Sequence, residues 1–169
     1  MCEPRVRRTP HTLDALLFRA SPNRLRLLDK KSMTDPRRAA VTVSHHVDAP
    51  PQAVWHALTD GPTVARWWAG NSGLQPVVGH AFTLDMGAWG TQACEVTTAV
   101  PDRHFAYRFA VGVLDSEISW TLVPDGSGTR VDLVHGGFDL STPLGRQGYE
   151  GMGRGWPSVL ARMATVIVG

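Results

Sequence analysis

Lysine is almost missing from this 169-residue sequence: Lys30 and Lys31 are the only two, and both fall in the first forty residues. Residues 1–40 carry ten Lys/Arg against four Asp/Glu, whereas residues 41–169 carry seven against eleven. The greater part of the chain is therefore mildly acidic, which argues against a nucleic-acid-binding surface on it. Cysteine is as scarce, with only Cys2 and Cys94. Two residues so placed build neither a disulfide framework nor a zinc site. Cys94 lies in a strand-like run and reads as a small buried hydrophobe. No apolar run is long enough to span a membrane. The basic start MCEPRVRRTP lacks the apolar stretch that a secretory leader needs behind it, so a cytoplasmic protein is expected.

Catalytic signatures are missing too. There is no G-x-S-x-G and no P-loop. The seven histidines form no H-E-x-x-H and no Cys/His cluster. His45 and His46 are adjacent, and adjacent strand residues point to opposite faces. No metal and no cofactor are expected. GRQGYEGMGRG is glycine-rich, but it does not follow a strand in a βαβ unit, so a nucleotide loop fails on context.

What is present is globular: 43% hydrophobic and 19% charged residues, in a length that suits one domain with a real core. Residues 1–40 stand apart as a basic, proline-punctuated extension. Its two apolar bursts are too short to form stable helices alone, and it is expected to be largely disordered. Met33, followed by a polar stretch, reads as a natural start of translation; a short regulatory or targeting arm is the rival reading of residues 1–32. A second unit runs over 41–169. VTVSHHV alternates as a strand. Pro50-Pro51 opens a helix carrying Val54, Trp55 and Leu58. Asp60-Gly61-Pro62 breaks it, and Val64, Trp67 and Trp68 mark a second short helix. The period then becomes two. Phe82, Leu84 and Met86 alternate, as do Cys94, Val96 and Thr98, then Phe105, Tyr107, Phe109 and Val111. Ile118, Trp120 and Leu122 form the next row. DGSGT makes a hairpin turn, with Asp125-Gly126 its strongest element, and Val131, Leu133 and His135 complete the series. Strands joined by short turns imply an antiparallel meander with one buried face. From Pro143 the pattern is helical, with Trp156, Leu160, Met163 and Ile167 on one face. Glycines 145, 148, 151, 153 and 155 each weaken a helix by roughly 1 kcal/mol relative to alanine, and Pro157 removes a donor. A soft lead-in over 144–156 is expected, serving as a lid or a loose loop, with firm helix from about Pro157.

An α+β fold follows: six antiparallel strands in a curved sheet, two short helices after the first strand, and a long C-terminal helix laid across the apolar face. This order, together with DAPPQAVWHALTD, RWW, VVGHAF, DGSGTRVDLVHGGF and GMGRGWPSVLARM, resembles the START-like helix-grip superfamily (SRPBCC). Within it, the chain is similar to the branch named after activators of the heat-shock-protein chaperone ATPase. The resemblance covers about residues 41 to 168. It implies a deep cavity between the sheet and the long helix, opened by the loop after the second short helix.

On that basis the candidate ligand-binding residues are Trp67, Trp68, Phe82, Trp89, Tyr107, Trp120, His135, Met152 and Trp156. Adjacent helical residues cannot both face the core, so one of Trp67 and Trp68 anchors the helix and its neighbour points to the cavity mouth. Phe82, Tyr107, Trp120 and His135 share the inward parity of their strands. The polar tips of Tyr107 and His135 need partners, which a solvated or ligand-filled cavity can supply. Trp89, on a turn between glycines, either covers an entrance or sits exposed. The first functional reading is a binding protein for a hydrophobic or aromatic small molecule. The alternative is a cyclase/dehydratase-like enzyme on a polyketide-type or aromatic substrate, with His135 and Tyr107 as catalytic candidates ahead of His80 and Arg108. Parity places Glu117 and Asp132 on the far face, so no inward carboxylate completes an acid/base pair. The third is a co-chaperone ATPase regulator, although the name-giving proteins use a separate N-terminal domain for that contact. Deleting residues 1–32 is expected to leave the thermal midpoint unchanged; a fall of several degrees would show that the segment packs on the domain.

Overall fold

The computed structural model describes residues 35–169, so the expectations placed on residues 1–32 lie outside the described residues. Strand β1 (Arg38–Val47) starts three residues before the alternating run. Helices α1 (Pro51–Thr59) and α2 (Gly61–Trp67) follow, separated by Asp60 alone, whose carboxylate accepts from the Thr63 amide and so caps α2. Then come β2 (Ala81–Asp85), a 3₁₀ turn (Gly87–Trp89), β3 (Thr91–Val100), β4 (His104–Phe109), β5 (Ser116–Asp125), β6 (Gly128–Asp139) and helix α3 (Pro143–Val168). The six strands form one antiparallel sheet in the order β1-β6-β5-β4-β3-β2. The two short helices thus carry the chain from one edge of the sheet to the other, and α3 lies across the inner face. This is the helix-grip architecture.

Register sets the inner wall. Phe105 pairs with Trp120 and Tyr107 with Ile118, while Ile118 pairs with His135 and Trp120 with Leu133. All six are buried. Two irregularities shift the simple alternation. In β3 the register slips at Thr97, and Ala99 rather than Thr98 lies opposite inward Phe105. In β6, Gly137 adopts φ +88°, a conformation open to glycine, and the extra residue turns Phe138 into the core. The β5–β6 hairpin closes between Asp125 and Gly128, so its two loop residues are Gly126 and Ser127, with φ +60° at Gly126.

The C-terminal helix corrects the sequence reading. It runs unbroken for 26 residues through Pro157, with no soft lead-in over 144–156. Thr142 caps it by accepting from the Gly145 amide at 3.0 Å. Two of its glycines allow close packing: a Cβ on Gly145 would collide with the Asp139 carbonyl, and one on Gly148 would stand 3.1–3.3 Å from Leu114 and Phe138. Exposed Pro157 weakens the helix by ~3 kcal/mol. Burying Trp156, Val159, Leu160 and Met163, at roughly 1.5–3 kcal/mol for a large apolar side chain, outweighs it. Tertiary packing here overrides local propensity.

His135 is fully buried and has two protein partners. The Trp156 indole donates to Nδ1 at 3.1 Å, and Nε2 lies 2.9 Å from Ser116 Oγ. An indole can only donate, so Nδ1 accepts and Nε2 carries the proton. Burial pushes the His135 pKa down to about 3.

Two outcomes follow from this packing. Gly145→Ala is expected to lower stability by ~1–3 kcal/mol through overpacking, while Gly155→Ala, whose Cβ meets nothing within 4 Å, raises it by up to about 1 kcal/mol; urea midpoints compare them. The second concerns acid. Between pH 6.5 and about 3 the unfolded chain takes up a proton at His135 that the folded chain refuses. This contribution is complete above pH 6.5 and falls with pH, by roughly 2 kcal/mol at pH 5. His46, whose pKa is raised by hydrogen bonds to Asp125 and Asp48, acts with opposite sign: its contribution is complete below pH 6.5 and fades as pH rises. Comparing the native protein with His135→Gln, which retains His46, isolates the His135 slope. Equal slopes in the two proteins would refute it.

Candidate functional site

The site grows out of the end of α2. Trp67 is buried, and its indole donates to the Ala57 carbonyl at 2.9 Å, locking α2 onto α1. At Trp68 the backbone leaves the helix, with φ −135° and ψ −84°. The Trp68 ring lies over Trp67 with centroids 6.0 Å apart, and meets Trp156 at 4.9 Å and Phe109 at 6.3 Å. Trp68 is half-buried, and its open side lines a groove.

Two hollows adjoin at Met86 and Met152 beside α3, and are called the two lobes of a groove. The first, about 390 Å³, lies between Trp68, Ala69 and the end of β2 on one side and Gly155, Trp156, Val159 and Arg162 of α3 on the other. The second, about 320 Å³, is bounded by Trp89, Phe109 and Val113 and by Leu144, Gln147 and Gly151 of α3. Met86 and Met152 line both lobes and stand between them. The unbranched methionine side chain adapts readily to what it touches. Trp89, 56% exposed, sits on the 3₁₀ turn, flanked by Gly87 at φ +62° and Gly90 at φ +76°.

Of the residues proposed from sequence, Trp68, Trp89, Met152 and Trp156 line the groove. Trp67, Phe82, Tyr107, Trp120 and His135 line neither lobe and belong to the closed core behind it. Of the polar tips that sequence reasoning aimed at a cavity, that of His135 has protein partners, Ser116 and Trp156. Burial pushes the Tyr107 hydroxyl well up. Burial likewise raises the Cys94 thiol to about 11. His80 Nε2 lies 2.9 Å from the Gly73 carbonyl, and Arg108 pairs with Asp115 at 3.3 Å; neither reaches the groove.

Two ionisable residues escaped the sequence reading. Asp85 lies on the outward parity of β2, but the strand ends there and the chain turns along the first lobe. Its Oδ1 accepts from the Gly87 amide at 3.0 Å. Arg162 follows Trp156 and Val159 at helical spacing on the groove side of α3, and that spacing is the signal that could have found it. Its Nε donates to the Trp67 carbonyl at 3.2 Å, satisfying an end group of α2. Among the described residues no three His, Cys, Asp or Glu side chains converge as metal ligands would. No helix among them is long and apolar enough to cross a membrane. The arrangement can hold a flat or flexible apolar body, with one cation and one carboxylate at one end.

No functionally curated protein matches the sequence. Solved structures do. Protein MLL2253 from Mesorhizobium loti is 28% identical with TM-score 0.67, over 77% of this chain and 97% of its own. CalU16 from Micromonospora echinospora is 25% identical with TM-score 0.64, over 79% and 80%. The Aha1 dimer protein from Colwellia psychrerythraea has TM-score 0.66 over 76% and 96%; at 20% identity it carries the fold alone. Residues 38–165 match the family model for polyketide cyclase / dehydrase and lipid transport proteins, the strands and helices of the grip included. The chain belongs to the polyketide cyclase / dehydrase and lipid transport family of the helix-grip superfamily.

Proposed function

We propose that this protein binds an apolar or aromatic small molecule in the two-lobed groove. One observation carries the reading. Trp89, Val113 and Leu144 come from three separate segments, each is at least 40% exposed, and all three line the same lobe. Single exposed apolar side chains are ordinary, but their convergence on one concavity marks a binding surface. Each lobe alone lies near the lower end of the roughly 300–1,000 Å³ usual for ligand sites. Trp68 and Trp156 offer aromatic faces in the first lobe, and the methionines between the lobes can adjust to a guest. The family's lipid-transport members support binding as the activity.

The cyclase and dehydrase members of the family favour a second reading, conversion of a polyketide-type or aromatic substrate. Its reacting groups would come from the first lobe, where Asp85 and Arg162 are the ionisable side chains. His135 and Tyr107 line neither lobe. A co-chaperone role draws on fold likeness alone.

The uncharged fluorophore N-phenyl-1-naphthylamine tests the site. Binding is expected to brighten the dye and quench tryptophan emission from Trp68 and Trp156. A Cβ on Gly151 meets nothing within 4 Å, and the residue lines the second lobe. Gly151→Leu therefore fills the lobe without strain and should weaken the dye about tenfold, the scale of a lost apolar subsite, with a thermal midpoint that does not fall. Unchanged affinity in this variant would move the dye out of the second lobe.

A further inference from the structure

We infer that the groove takes one elongated molecule ending in a carboxylate, with the acid on Arg162 and the apolar body running between Met86 and Met152 into the Trp89 lobe. This deepens the proposed binding reading and rests on it. The argument begins with the difference between the two charged residues of the first lobe. Asp85 has a local task, capping the Gly87 amide at 3.0 Å. Arg162 uses only Nε, on the Trp67 carbonyl at 3.2 Å. Among the described residues no carboxylate lies within ion-pair distance of its guanidinium. That Nε contact orients the guanidinium plane, leaving the Nη groups of the fork, which suit a carboxylate through parallel N–H···O bonds.

The shape of the groove supplies the second part. The first lobe holds the charges, and the second is walled largely by apolar side chains. The lobes share Met86 and Met152 and no other residue, so they adjoin at two unbranched side chains that can shift to let one guest occupy both. Gly155 lines only the first lobe and Gly151 only the second; a Cβ on either meets nothing within 4 Å. A compact ligand would feel one of these positions, whereas an elongated one would feel both.

Dodecanoate and 1-dodecanol share a chain and differ in charge, so their competition against N-phenyl-1-naphthylamine reads the acid end. Dodecanoate is expected to displace the dye at about a tenfold lower concentration than the alcohol, the scale of a charge-assisted pair at a solvated mouth. The advantage should shrink in 1 M sodium chloride, where screening is strong. Arg162→Gln should abolish it, so that acid and alcohol displace the dye from the variant at equal concentrations. Gly151→Leu and Gly155→Leu should each weaken dodecanoate. Equal competition by acid and alcohol in the native protein, which requires no variant, overturns the carboxylate. Loss of dodecanoate affinity in only one glycine variant overturns the elongated ligand and leaves the groove reading intact. Dye affinity untouched by both glycine variants overturns the groove itself.

Discussion

A single hydrogen bond, from the Trp156 indole to His135 Nδ1 at 3.1 Å, fixes how the long helix sits on the sheet. Both partners are buried, so leaving either unmade would expose a polar atom to an apolar interior at a cost of about 1–3 kcal/mol. Ser116 completes the chain from β5. The Trp156 ring then meets Trp120 at 5.5 Å and Trp68 at 4.9 Å, joining α3 to the sheet and to the end of α2. With Trp156 anchored, the rotation of α3 about its axis is set. Met152, Gly155, Val159 and Arg162, at helical offsets from it, turn toward the groove.

The same pairing separates core from site. Large inward residues with polar tips would ordinarily point to a wet or occupied cavity. Here the His135 ring is satisfied by Ser116 and Trp156, and it lies buried with Tyr107 behind the groove. The open volume lies instead where β2 ends, the 3₁₀ turn begins and α3 has glycines without near neighbours. The α3 glycines thus divide by environment. Gly145 and Gly148 let backbone and side chains approach, while Gly151 and Gly155 leave room beside the groove. A groove walled by tryptophan and methionine, with an arginine at one end, suits a guest with an apolar body and a polar terminus.

Much of this fold was legible in the sequence because its signals are local. Proline at Pro50-Pro51 and the Asp60-Gly61-Pro62 break marked the short helices, and alternation marked every strand of the sheet. Alternation also identified which face of β4, β5 and β6 is buried. It did not anticipate the slip at Thr97 or the bulge at Gly137 that brings Phe138 inward, since one extra residue reverses parity without changing composition. Helix propensity misjudged residues 144–156, because glycine and proline penalties are local and the burial that outweighs them is not.

By itself, then, the sequence determined the order of elements, the buried face of most strands, and the aromatic stock from which a site could be built. Only the tertiary structure decided which aromatics close the core and which border open space. Trp67 and Trp68 differ by one position along the chain, yet one is bound to the Ala57 carbonyl and the other faces the groove. Trp120 and Trp89 look alike in composition, but one lies under α3 and the other on an exposed turn. Asp85 and Arg162 are 77 positions apart and meet in one lobe only because α3 folds back beside the end of β2. Periodicity records which way a side chain points from its own element; whether it meets another side chain or an opening depends on partners far away in sequence.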